Sequence, residues 1–142
     1  MCNLINKTTK VRTVHRLEVR VLGPQNITYN FVWYLFYKYL PGGQSVEKDT
    51  DPYPVAVPAK DSKLVFGGFR TEPNQNYTWP EGKYEFKVLG WVNLKDHMQP
   101  SNLESTFHIQ VTQEHISQLS QPNLPGVSVF ITIPVIEWER RH

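Results

Sequence analysis

The run FVWYLFYKYL at residues 31–40 leaves the chain few options. Only Lys38 in it is charged. As a helix it would point rings all round its axis, and aromatic and β-branched residues lose side-chain freedom there. As a membrane span it is too short, because a helix needs about 20 apolar residues to cross. As a strand it divides cleanly. Ile27, Tyr29, Phe31, Trp33, Leu35, Tyr37 and Tyr39 share one face, and Thr28, Asn30, Val32, Tyr34, Phe36, Lys38 and Leu40 the other. A long strand is expected over residues 27–40.

The same alternation recurs. In residues 11–22, Val11, Thr13, His15, Leu17, Val19 and Val21 form one face, opposite Arg12, Arg16, Glu18 and Arg20. In residues 83–94, Tyr84, Phe86, Val88, Val92 and Leu94 oppose Lys83, Glu85, Lys87, Leu89, Trp91 and Asn93. Residues 103–112 and 127–138 follow suit, and Pro134 makes the last an edge or bulged strand. YPVAVP and KLVFGGF read as two short strands. QEHISQLS suits a short helix with Thr112 as its cap. GPQN, LPGGQS and QPNLPG are turn signals, and the first ten residues are expected to fray. About seven strands in 142 residues point to a single all-β domain, an antiparallel β-sandwich with one short helix.

The stretch WPEGKYEFKV, residues 79–88, resembles the Pro/Gly turn and Tyr-led strand entry of immunoglobulin-like and fibronectin type III domains. The resemblance covers about ten residues and implies a fold, not a function. The cysteine pair of immunoglobulin domains is missing.

Composition narrows the class. Hydrophobic residues are 39% and aromatics 13%, enough for a core, and 11 prolines leave little room for long helices. Cys2 is the one cysteine, so packing rather than a disulfide must hold the chain. MCNLINKTTKVRTV has no apolar leader core, which points to the cytoplasm. A mature lipoprotein, which begins with cysteine, is the alternative. Without a signal peptide the sequons at Asn6, Asn26 and Asn76 are read as accidental. The net charge of +2 is far from a nucleic-acid footprint, and Glu18 interrupts the row Arg12, Arg16, Arg20.

Chemistry finds little support. His15, His97, His108, His115 and His142 show no zinc spacing. Glu47, Asp49 and Asp51 alternate in a loop as calcium ligands can, with Asp61 or Asp96 as further candidates, but Pro58 stands where an EF-hand closes with Glu. There is no nucleophile elbow and no glycine-rich phosphate loop. No catalytic residue, cofactor or metal is expected.

A binding module is. Tyr34, Phe36, Trp91, Phe130 and Ile136 fall on faces that alternation gives to solvent. Contiguous apolar patches mark contacts, so these five are the candidate interface of a self-associating protein-interaction domain. The alternative is a carbohydrate-binding module, with Tyr77, Trp79 and Trp91 as sugar-stacking rings beside amides such as Asn74, Gln75 and Asn76.

Overall fold

The computed structural model describes residues 2–39, 46–70, 77–94, 98–120 and 133–140. The described residues are mostly β, in antiparallel sheets, with one short helix. Its main sheet is built around two long strands, β2 (Arg12–Leu22) and β3 (Thr28–Tyr39), with β8 (Gly82–Val92) on the other side of β2. Beyond β8 lie β9 (Leu103–Val111) and β10 (Val135–Arg140). β4 (Val46–Lys48) extends the end of β3, β5 (Val55–Val57) lies beside the start of β2, and β7 (Gly67–Arg70) lies beside β3. A separate ribbon pairs β1 (Cys2–Ile5) with β6 (Ser62–Val65).

The N-terminal segment expected to fray is therefore partly a strand. Its hold is physical: Leu4 packs into the core, and Asn6 is buried with its amide donating to the carbonyls of Lys10, Val57 and Pro58. The expected strands over 11–22, 27–40, 83–94 and 103–112 are present to within two residues at either end. Of the expected strand 127–138, residues 127–132 lie outside the described residues, and the observed strand runs on to Arg140. The helix α1 (Gln113–Leu119) starts as expected at Thr112, whose hydroxyl accepts from the His115 amide while the His115 ring accepts from the Thr112 amide.

The β2–β3 hairpin turns at Pro24–Ile27, where Gln25 and Asn26 both adopt φ 59°. Two successive left-handed residues make a type I′ turn, whose twist matches that of the strands it joins. From there the ladder is regular, Leu22 facing Thr28 through to Glu18 facing Val32.

Below that point the two strands part. On the edge of β3 that faces β2, Phe36 bonds instead to Asp49 and Thr50, leading into β4. The corresponding edge of β2 is taken up by β5 only from Val14 back to Arg12. Both strands also carry a bulge here. β2 slips against β8 between Val14 and Arg16, and β3 slips against β7 between Trp33 and Leu35. A bulge inserts one residue and so exchanges the faces beyond it.

Two apolar clusters fill one face of the main sheet. Val14, Leu17, Trp33, Phe36, Val55 and Val57 pack beneath the ribbon, with Leu4 and Val65. Val19, Val21, Tyr84, Ile109 and Val111 pack against Trp79, Ile116 of α1 and Ile133. The second layer is thus a two-stranded ribbon over one half, and a loop and helix over the other.

Candidate functional site

The parting of β2 and β3 leaves a cleft of about 260 Å³, lined by His15, Arg16, Leu17, Val32, Trp33, Pro52, Trp91 and Leu94. Its cause is the topology just described. Among the described residues, His15, Arg16 and Leu17 have no partner strand on the edge toward β3, and neither do residues 33–35 on the edge toward β2. Three residues of strand span about 10 Å. The Trp33 indole N–H is spent on the β7 side, donating to the Leu35 oxygen across the bulge at 3.1 Å. The Trp91 indole N–H is likewise spent, on the Gln99 carbonyl at 2.7 Å.

Arg16 holds the rim. Its Nε and one terminal nitrogen donate to the same Glu18 oxygen at 2.8 and 2.6 Å, and its guanidinium lies 5.7 Å from the Trp91 ring centre. Both contacts favour a planar guanidinium over an ammonium. The His15 ring makes no hydrogen bond to any described residue.

The candidate interface is taken apart by this geometry. Phe36 is 6% exposed, with its ring 4.7 Å from Trp33 and edge-on to it. The bulge at Tyr34 has turned Phe36 to the core side, so its expected exposure is wrong. Trp91 is 5% exposed, closed over by the Gln99 segment and Arg16, so its exposure is wrong too. Tyr34 is half-buried, its hydroxyl 3.4 Å from that of Tyr37 and its ring 5.2 Å from the Arg70 guanidinium. The shared hydrogen bond, with burial, pushes the Tyr37 hydroxyl up to about 12. Phe130 lies outside the described residues, and only the backbone of Ile136 is described.

The sugar-stacking set divides. Tyr77 and Trp79 do come together, but with Tyr29 and Phe31: Tyr77 lies 4.8 Å from Tyr29, and Trp79 stacks on Phe31 at 6.2 Å. Trp79 also touches the fully buried Tyr84, whose hydroxyl burial pushes up. The Tyr29 hydroxyl is tied to the Thr78 backbone, donating to its carbonyl. Trp91 belongs to the cleft instead.

The acidic-loop candidates have separate tasks. Asp49 lies 3.9 Å from Lys38 and Asp61 accepts from the Ser62 amide, while Asp96 is outside the described residues and of Glu47 only the backbone is described. Among the described residues no three His, Cys, Asp or Glu side chains converge on a metal position. Of the arginine row, Arg12 donates to Thr8 and Arg16 is committed to Glu18. No helix among the described residues is long and apolar enough to cross a membrane.

Sequence reasoning passed over the cleft because alternation treats each strand as unbroken. The signal available was Pro52–Pro54 beside the aromatic strand. A comparison with models of known protein families finds no match, and neither do comparisons with curated proteins or with solved structures.

Proposed function

We propose that the chain is a non-enzymatic binding module that works through protein contacts and associates with itself, by the β1–β6 ribbon rather than the aromatic face. One observation carries this. Ile5 and Leu64 are 52% and 56% exposed, and the register places both on the outer face of the ribbon, beside Asn3 and Ser62. Among the described residues each ribbon strand has one neighbour, so each keeps a free edge. Free edges and exposed apolar side chains are what strand addition uses. A two-fold axis through the ribbon would bring like surfaces together, and a specific dimer buries roughly 800 Å² per partner.

Sedimentation velocity across a micromolar range tests it. Dimer in the wild type and monomer in Leu64→Lys is the expected pair. A wild-type chain that stays monomeric throughout removes the proposal.

We also propose an immunoglobulin or fibronectin type III relationship for the fold. Its support is the Tyr84 hydroxyl, which donates to the Pro80 carbonyl 2.8 Å away, four residues upstream, while the ring is fully buried. That is the arrangement of a tyrosine corner. The carbohydrate reading keeps one supporting observation, the half-buried rings of Tyr29, Phe31, Tyr77 and Trp79 on one loop and strand. A glycan array separates it from self-association.

A further inference from the structure

We propose that the cleft between β2 and β3 binds a small, flat organic carboxylate, a single-ring aromatic acid being the best fit. The walls set the body of the ligand. Leu17, Val32, Trp33, Pro52, Trp91 and Leu94 are apolar, and both indole N–H groups are already spent on backbone carbonyls. The tryptophans, 7% and 5% exposed, form the closed floor of the cleft and show it only a ring edge with no polar group, which suits a thin flat apolar group.

Two side chains set the head group. His15 and Arg16 are the polar lining among the described residues, and the nearest described carboxylate, Glu18, reaches the cleft only through its ion pair with Arg16. Glu18 engages Arg16 through one oxygen and two nitrogens, leaving the second terminal nitrogen without a described acceptor. An Arg donor beside a His donor favours an anionic oxygen pair and opposes a cation. The stranded edge of His15–Leu17 adds backbone groups that no described strand uses. The exposed lining is about evenly polar and apolar, and a few convergent polar groups beside apolar side chains suit a small polar-headed ligand. At about 260 Å³ the space falls just short of the roughly 300–1,000 Å³ of drug-sized pockets, which selects one ring rather than a nucleotide.

Nuclear magnetic resonance titration of the whole chain tests this, using benzoate, benzamide and benzylamine as probes. The indole N–H signals of Trp33 and Trp91 are the readout. Benzoate should move both signals and bind roughly tenfold tighter than benzamide, as a charge-assisted hydrogen bond gives over a neutral one. Benzylamine should not bind. Arg16→Gln should bring benzoate and benzamide to equal affinity, and Val32→Trp, which fills the space, should abolish both. Should Arg16→Gln fail to fold, the benzoate-to-benzamide ratio in the wild type and the Val32→Trp result decide alone. Equal affinity for the two in the wild type overturns the proposal, as do indole signals that stay still at millimolar benzoate.

Discussion

The two ends of the β2–β3 hairpin are made from the same kind of sequence and fold differently. Near the turn, residues 18–22 and 28–32 form an unbroken ladder. Away from it, the strands carry a bulge each, separate, and take β5 and β4 as new neighbours. Near the turn, Val19 and Val21 are buried as alternation requires. Away from it, Val14 is buried instead of Thr13, and Phe36 is buried along with Leu35. Period two therefore holds only where the ladder is continuous, and the break between the two regimes is where the cleft opens.

Phe36→Ala breaks this comparison most sharply. If the bulge turns Phe36 into the core, the substitution should cost about 3–5 kcal/mol by denaturant titration, the range for emptying a large buried aromatic site. A loss below about 1 kcal/mol would restore the unbroken strand and the exposed ring. The regular end has its own test in Gly23, where a Cβ would run into the ring of the buried Tyr84. Gly23→Ala should cost about 1–3 kcal/mol through overpacking.

A smaller effect of opposite sign should come from the turn. Gln25 and Asn26 occupy left-handed positions that suit Asn-Gly better. The pair Gln25→Asn with Asn26→Gly should stabilise by up to about 1 kcal/mol, read as a raised denaturation midpoint. Loss of stability would mean that the turn is not type I′.

The smallest effect lies at the far edge of the sheet. The Glu137 carboxyl is held below its ordinary 4.5, chiefly by the hydrogen bond from Lys83, then by the charges of Lys83 and His108. A depressed folded value adds stability above the unfolded value and loses it as pH falls through the folded one. Lys83→Met should therefore lower Tm slightly at neutral pH, and the gap from wild type should close below pH 4.5. A gap that persists in acid would assign the effect to packing.

Strand positions, the helix with its Thr112 cap and the GPQN turn were legible because each depends on neighbours within a few residues. Facing was legible for Val19, Val21 and Trp33, and lost at Phe36, since a bulge is set by partners such as Gly68 that sit far along the chain. Cover is equally non-local. Trp91 looked solvent-facing because nothing in its own strand reveals that Gln99 returns to accept its indole N–H. The cleft combines both kinds of information, so its members were visible beforehand only apart, His15 among the histidines, Arg16 in the arginine row, Trp33 on the core face and Trp91 in the candidate interface.

The ribbon bears on the order of events as the chain folds. The hairpin closes over the few residues between Leu22 and Thr28, whereas β1 must find β6 about sixty positions along. Closing the longer loop costs more chain entropy before any contact rewards it, so the ribbon should zip up after the hairpin. The same asymmetry runs in reverse. Opening the ribbon gives up one strand pair, the Asn6 hydrogen bonds and the core packing of Leu4 and Val65 while leaving the β9-β8-β2-β3 ladder intact. Amide protons of β1 and β6 should then exchange with solvent before those of β8, so the proposed contact surface should open before the central ladder does.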